Sequence, residues 1–364
     1  MLELPTIPVL DIRDSGPVRY ALQSAEEARA LRDACLGVFP SGVLPIVPAL
    51  DRASRRWLVR SSSPYIGEIE HISEALGFSG IWFLNAAYQW GCTALACEDG
   101  GVPWLLRTLD WPFAGMGRLV ALAHMRGECG DYVSVTWPGY VGALTAMAPH
   151  RFAACINQAP LPRRTSHRYL RAFDFAANAL RIWRHTELMP PDQLLRRTFE
   201  LCRDYGAARR LLEMTPVARP AIYTLIGSAA GERCVIERTE TDFTTREEDT
   251  SASNDWVPCR PGWEGRIGMR RFLTSSFAEA TAYCHARRES LAGFSGQASG
   301  RDFGWVREPV LNPYTRLAVT MSPASGTLRV IGYEPAGTGG LLPDPATLMG
   351  EIELQAAGSS PALQ

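Results

Sequence analysis

A predicted β-hairpin begins at Gly91-Cys92-Thr93-Ala94-Leu95-Ala96 and returns through Trp104-Leu105-Leu106-Arg107. Its turn, Glu98-Asp99-Gly100-Gly101, places an Asp-Gly pair between two apolar runs, which is a strong short-range signal for a hairpin. With the turn centred between Asp99 and Gly100, Cys92 faces Arg107. Because a neighbouring guanidinium favours the thiolate form of a cysteine, the pattern indicates a reactive thiol on one strand of a sheet.

Asp110 follows Arg107 by three positions, and Trp111-Pro112 ends the second strand there. The turn that results brings the Asp110 carboxylate back toward the start of the first strand. Residue chemistry alone leaves two interpretations open. Cys92 is either a catalytic nucleophile or a buried structural cysteine beside a structural ion pair.

The same hairpin resembles the nucleophile hairpin of the acid ceramidase and N-acylethanolamine amidase family, in which Cys-Thr-Ser is followed by Gly-Arg-Asn-Leu/Met-Asp. Choloylglycine hydrolases, penicillin V acylases and the acyltransferases of penicillin biosynthesis are more remote relatives of that family. The resemblance covers residues 75 to 335, roughly, and includes four further segments: 138–147, Phe152–Gln158, 253–256 and 319–328.

The resemblance implies an α+β fold, a four-layer αββα sandwich of two mostly antiparallel sheets covered by helices, as in N-terminal-nucleophile (Ntn) hydrolases. The predicted order of strands, then helices, then strands independently favours helices on a two-sheet core. The family's self-cleavage would fall between Gly91 and Cys92. Residues 1–91 would then form a small subunit that stays associated with the catalytic domain, residues 92–364, whose tail after about residue 335 is expected to be loose.

Local patterns add expectations about individual elements. They predict strands at 8–12, 152–158, 221–227 and 233–238, a turn at Asp14-Ser15-Gly16, and either a strand or a buried helix at 81–87. Residues 250–271 are rich in Pro, Gly and Trp and are predicted to form an ordered loop. Helices are predicted at 24–38, 49–58, 65–76, 169–186, 192–202, 206–214 and 276–291.

The resemblance also implies a mechanism. Cys92 would become N-terminal on self-cleavage, and its thiol would attack an amide carbonyl. The freed α-amino group, with a pKa near ~8, would act as base and then as acid toward the leaving amine. Arg107 would support the thiolate, and Asp110 would hold the α-ammonium group. The implied activity is hydrolysis of the C–N bond of a small-molecule N-acyl amide, and it needs no cofactor.

Further family roles fall on polar residues later in the chain. Asn254 would donate its side-chain amide to the oxyanion, a contribution worth roughly 3–4 kcal/mol, and Asn157 would bind near the α-amino group. Arg266 best fits the family's later arginine, with Arg270 and Arg271 as competitors. Each role has a structural alternative: Asn254 as a turn cap, Asn157 at a strand end and Arg266 as a surface residue. The residues predicted to contact substrate are Trp111, Tyr140, Gln158 and Trp256.

Three positions depart from the family pattern. Thr108 stands where the family has Asn, Ala94 where it has Ser, and Gln158 where it has Glu. Gln158 keeps hydrogen bonding but lacks the negative charge, which puts any part of that carboxylate in self-cleavage in doubt. Two alternative functions therefore stay open. One is an acyltransferase on the same fold, with an amine or thiol acceptor, and the other is an uncleaved Ntn-like binding protein.

The composition excludes several classes of function. All 37 basic side chains are arginine, so a Schiff-base lysine and a P-loop lysine are excluded. A net charge of −1 provides no basic field for nucleic acid. Nine cysteines without C-x-x-C spacing and six histidines without a ligand pattern argue against a disulfide framework and against a bound metal.

The sequence also bears on location. The first residues lack the pattern of a secretory signal, and unpaired cysteines suit a reducing compartment, so we expect a cytoplasmic bacterial enzyme. Residues 75–97 carry no charge, but polar residues and glycines interrupt them, so they are interpreted as a buried segment and not as a membrane span. One predicted helix has a partly apolar face that either packs in the core or makes transient contact with lipid: Phe173, Phe175, Ala176, Ala179, Leu180 and Trp183.

Overall fold

The computed structural model describes residues 3–36, 45–86, 91–165, 170–184, 186–248, 250–265, 276–336 and 340–354. The helices are α1 (Gly16–Gln23), α2 (Ala25–Leu36), α3 (Val47–Leu58), α4 (Ile66–Leu76), α5 (Ile81–Ala86), α6 (Arg171–Arg184), α7 (Pro191–Leu201), α8 (Tyr205–Met214) and α9 (Phe277–Ala292). The first strands are β1 (Val9–Asp11), β2 (Gly91–Asp99), β3 (Val102–Asp110), β4 (Ala121–Gly127), β5 (Gly130–Thr136), β6 (Thr145–Ala148), β7 (Phe152–Gln158) and β8 (Leu161–Pro162). The later strands are β9 (Ala221–Gly227), β10 (Arg233–Arg238), β11 (Phe243–Arg246), β12 (Ser251–Ala252), β13 (Trp263–Glu264), β14 (Thr315–Ser322), β15 (Thr327–Pro335), β16 (Pro343–Pro345) and β17 (Gly350–Glu353).

Two sheets form the centre of the described structure. The first has the order β1-β4-β5-β6-β7-β9-β10-β11 and is antiparallel except where β1 lies parallel to β4. The second has the order β12-β2-β3-β14-β15-β16, with β17 also paired to β15. β2 and β3 pack face to face against β7 and β9, so the hairpin lies at the interface of the two sheets.

Helices cover the outer face of each sheet. α7 and α8 pack on the first sheet, and α9 packs on β2 and β12 of the second. The predicted α+β class and the αββα order of layers are therefore confirmed. The main apolar core lies between the sheets, because alternate residues of each strand point inward: Cys92, Ala94 and Ala96 from β2 meet Cys155 and Tyr223.

The register of the hairpin differs from the prediction. Cys92 pairs with Leu109, and Arg107 pairs with Ala94, so the predicted direct pairing of Cys92 with Arg107 is wrong by two positions. The turn is Gly100-Gly101, with φ values of +60° and +80°. A two-residue hairpin turn of type I′ has positive φ at both central positions, which glycine adopts without strain. Because side chains alternate along a strand, a shift of two residues keeps Cys92 and Arg107 on the same face.

The structure confirms a turn at Asp14 and Ser15, decides one open alternative and corrects one expectation. The predicted turn at Asp14-Ser15-Gly16 leads directly into α1, whose first turn contains Pro17, a residue well suited to that position. The stretch left open as strand or helix forms α5. The tail is not loose throughout, because β16 and β17 pair with the free edge of β15 and satisfy its backbone groups.

Candidate active site

Cys92 is the second residue of β2, and its side chain is fully buried between the sheets. Its Sγ lies 3.2 Å from Arg107 Nη2 and 3.8 Å from the carbonyl oxygen of Ile156. Arg107 is held by two further contacts: Nη2 donates to Ile156 O over 3.1 Å, and Nη1 donates to the hydroxyl of Thr145. The guanidinium is therefore fixed beside the sulfur and has little freedom to turn away.

The environment of Cys92 controls its protonation. Burial raises the pKa of the Cys92 thiol, and the Arg107 guanidinium opposes that shift. Desolvation outweighs the effect of the neighbouring guanidinium on this pKa. The sulfur is held as a neutral thiol until a base removes its proton.

Asn254 binds the backbone of the same cysteine. β12 pairs with β2 so that Ala252 faces Ala94, and two residues further on the ladder would bring Asn254 opposite Cys92. There the side chain takes the place of a backbone partner: Asn254 Oδ1 accepts the Cys92 N–H over 2.8 Å. Its Nδ2 donates to the carbonyl oxygen of Gln158 over 2.8 Å, which fixes the orientation of the amide.

A second arginine, Arg287, reaches the site from α9 on the opposite face of β2. Its Nη1 donates to Asp110 Oδ2 over 2.7 Å and lies 3.4 Å from the Cys92 carbonyl oxygen. Its Nη2 donates to Asn254 Oδ1 over 2.9 Å. Asp110 pairs with Gly91 across the hairpin, so this buried ion pair lies beside the residue that precedes Cys92.

Arg287 is the site residue that the sequence reasoning missed. The predicted later arginine, Arg266, and its competitors Arg270 and Arg271 lie outside the described residues. The sequence contains one indication of its position. Cys284 and Arg287 are three residues apart and therefore lie on the same face of α9, the face that packs on β2. The spacing along the chain from Asn254 gave no reason to prefer Arg287 over Arg266.

The structure places Asn157 next to the Asn254 loop. Asn157 is fully buried on β7, and its Nδ2 donates to the carbonyl oxygen of Ser253 over 3.1 Å. Its Oδ1 has no hydrogen-bond partner among the described residues. An unsatisfied buried acceptor is costly, so this oxygen is suited to receive a donor that the described residues do not provide.

Two of the predicted substrate contacts line a cavity. Trp111 and Tyr140 face a small cavity with an apolar lining that also includes Leu31, Leu84, Met116, Trp137 and Leu144. Gln158 does not line this cavity; its backbone carbonyl oxygen accepts the hydrogen bond from Asn254 Nδ2. Trp256 is buried against Trp263 and Arg260 and does not line this cavity.

The helix whose apolar face was expected either to pack in the core or to contact lipid is α6. The side chains of Phe173 and Leu180 are 57% and 54% exposed, so these two residues are not in the core. The side chains of the other four residues predicted for this face lie outside the described part. No helix within the described ranges is both long and apolar enough to span a bilayer.

A cysteine near the start of a central strand, buried between the sheets of an αββα sandwich, is the arrangement expected of the Ntn-hydrolase class. No family model matches the chain. The chain is 26% identical over 217 residues to a probable acid ceramidase from Caenorhabditis elegans, covering 53% of this chain and 52% of that protein. It is 26% identical over 182 residues to N-acylethanolamine-hydrolyzing acid amidase from Cavia porcellus, covering 48% of each.

The chain spans about half the length of these curated relatives. The solved structure of the Caenorhabditis elegans N-acylethanolamine-hydrolyzing acid amidase ortholog aligns with a TM-score of 0.46, at 17% identity, over 64% of this chain and 93% of that chain. The curated matches confirm the predicted resemblance to the acid ceramidase and N-acylethanolamine amidase family.

Proposed function

We propose that this chain is a cysteine amidase that hydrolyses the C–N bond of N-acyl amides. One observation carries the proposal: Cys92 is buried with Arg107 on its sulfur, Arg287 near its carbonyl oxygen and Asn254 on its N–H. Fixed cations and an amide group around one thiol are the parts that nucleophilic attack on a carbonyl requires. The activity of the whole protein is inferred from the geometry around Cys92.

Self-cleavage would activate the site. The Cys92 sulfur loses its proton and attacks the carbonyl carbon of Gly91, the C–N bond between the two residues breaks, and the nitrogen gains the proton that the thiol lost and becomes a free amine. The acyl chain is then held on sulfur as a thioester, which water hydrolyses to the Gly91 carboxylate and the free thiol. Asp110, which lies beside Gly91, and the unsatisfied Asn157 Oδ1 are the acceptors available for the new ammonium group.

Substrate hydrolysis would repeat the attack on an external amide. The Cys92 amine takes the thiol proton, the thiolate adds to the carbonyl carbon, and the ammonium returns the proton to the leaving amine. Water hydrolyses the acyl thioester and restores the thiol. Asn254 would supply its Nδ2–H to the oxyanion after leaving the Gln158 carbonyl that it binds in the intact chain.

The substrate class follows from the relatives. Acid ceramidase and N-acylethanolamine-hydrolyzing acid amidase are the names of the matched proteins, and both names denote hydrolysis of an N-acyl amide. We infer that the substrates are fatty N-acyl amides and that the enzyme acts in the cytoplasm, with α6 as the face that meets a lipid surface.

The absence of lysine gives a sharp test of self-cleavage. Amine reagents can label only α-amino groups in this chain, because no side chain carries a primary amine. We expect intact-mass analysis to show fragments of 91 and 273 residues (364 − 91 = 273), with label on Cys92. Cys92→Ala should stay a single chain without that label. A wild-type protein that stays uncleaved would contradict the proposal and favour the binding protein that Gln158 keeps open.

A second experiment addresses the reaction. The cleaved protein is incubated with N-acylethanolamines and ceramides, with and without added amine or thiol acceptors. Free fatty acid as the main product in both conditions supports an amidase. Acyl transfer to the acceptor would support the acyltransferase alternative, and no turnover of any amide would contradict both.

A further inference from the structure

A turn that no proposed step uses holds the carboxylate of Asp110. It runs from Asn312 to Thr315, where β14 begins, and these two residues and Asp110 are buried. Asn312 Nδ2 donates to Asp110 Oδ2 over 2.8 Å, and Thr315 Oγ1 donates to Asp110 Oδ1 over 3.0 Å. Each carboxylate oxygen therefore receives its own hydrogen bond from the same turn.

Hydrogen bonds within the turn fix the direction of both donors. Asn312 Oδ1 accepts the Tyr314 N–H over 3.0 Å, which leaves the NH₂ end of the amide for Asp110. The Thr315 hydroxyl accepts the Asn312 N–H over 3.0 Å, so its own proton points to Asp110, since the other acceptor within reach, Val310 O, is 3.4 Å away. The turn is thus arranged to hold a group that only accepts hydrogen bonds, as a carboxylate does.

Asp110 links this turn to the proposed cleavage site. Asp110 pairs with Gly91, and its Cβ lies 3.3 Å from the point where a Cβ of Gly91 would stand. Arg287 Nη1 is its third donor, at 2.7 Å. A carboxylate has about four acceptor positions, so one position stays open for a further donor.

We propose that Asn312 and Thr315 are positioning residues that set the rotation of the Asp110 carboxylate for self-cleavage and amide hydrolysis, an inference that rests on the proposed function. Their two hydrogen bonds hold the carboxylate so that Oδ2 lies 3.4 Å from the point where a Cβ of Gly91 would stand, while Oδ1, which accepts only from Thr315 among the described residues, keeps the open acceptor position. Before cleavage the Cys92 N–H donates to Asn254 Oδ1, and after cleavage the open position on Asp110 receives the Cys92 ammonium group. Neither residue touches the reacting atoms.

Thr315→Val tests the proposal because it removes the donor with almost no change in shape. We expect the rate of self-cleavage and the kcat of the cleaved enzyme on an N-acylethanolamine to fall roughly 10- to 100-fold, the range for a misplaced catalytic group. The KM should change less than about twofold, since substrate binding is not disturbed. Thr315→Ser keeps the hydroxyl and should restore both rates.

Thr320→Val is the matched control, because Thr320 is equally buried on the same strand and contacts Trp305 and not Asp110. Wild-type rates in Thr315→Val would overturn the positioning role, and so would an equal loss of rate in Thr320→Val. If Thr315→Val does not fold, Asn312→Ala removes the other donor and is judged by the same readouts. A wild-type chain that never cleaves would instead overturn the proposed function itself.

Discussion

At the scale of single residues, the ion pair of Arg287 with Asp110 makes the clearest prediction about stability. Both side chains are buried, and Arg287→Gln would leave the Asp110 carboxylate without its counterion. Breaking a buried pair in this way costs about 3–5 kcal/mol in the free energy of unfolding. Urea denaturation measures the cost, and Arg126→Gln is the control. That residue pairs with Asp14 on the surface, where the loss is about 1 kcal/mol or less.

Asp192 makes a prediction about pH. Burial raises the pKa of Asp192 to about 7, and Arg219 opposes the shift. The unfolded carboxyl ionises near 3.8, so folding retains a proton that the unfolded chain releases. The stabilisation from this group is complete below about pH 4 and is lost as the pH rises through 7. Asn has no titrating group, so Asp192→Asn should weaken the decline in urea midpoint between pH 4 and 7. Parallel curves for the two proteins would contradict this expectation.

At the scale of elements, the hairpin turn allows the effect of backbone strain on the free energy of unfolding to be measured separately from the effect of packing. A Cβ at Gly101 would meet no atom within 4 Å, but its φ of +80° is unfavourable for alanine. We therefore expect Gly101→Ala to lower the free energy of unfolding by about 1 kcal/mol. Gly67 in α4 also has open space and lacks a positive φ, so Gly67→Ala should stabilise the protein by up to about 1 kcal/mol. Thermal unfolding of both variants would show shifts of opposite sign, and a common sign would contradict the argument.

The elements also show how far sequence reasoning reached. Periodicity and turn residues predicted β7, β9 and β10 with their observed bounds, because each has an apolar centre between clear breaks. The hairpin was found, but its register was missed by two positions, since Asp-Gly and Gly-Gly both satisfy the signal. The site residues on the hairpin came from its own pattern, whereas Arg287 came from a helix that only tertiary packing brings to β2.

At the scale of the whole molecule, the segment before Cys92 is joined to the rest by many buried contacts. Asn85 on α5 accepts the Val141 N–H over 2.8 Å and donates to Gly139 O over 2.9 Å. Glu68 on α4 forms an ion pair with Arg196 at 2.5 Å. These contacts lie away from the proposed cleavage site, so cutting one peptide bond leaves them intact.

We therefore expect the two fragments to remain together after cleavage. They should elute from gel filtration as one species in native buffer and separate only in denaturant. Asn85→Ala combined with Glu68→Gln removes two of the connections and should lower the denaturant concentration at which the fragments part. Separation of the wild-type fragments in native buffer would contradict the expectation.

The parallel pairing of β1 with β4 has a consequence for how the protein must be made. β1 belongs to the segment before Cys92, yet it forms the outermost strand of the first sheet. A gene encoding only the residues from Cys92 onward would leave the backbone N–H and C=O groups of β4 open to solvent. An unpaired strand edge pairs with strands of neighbouring molecules. The shortened protein should therefore aggregate unless residues 1–91 are supplied during synthesis.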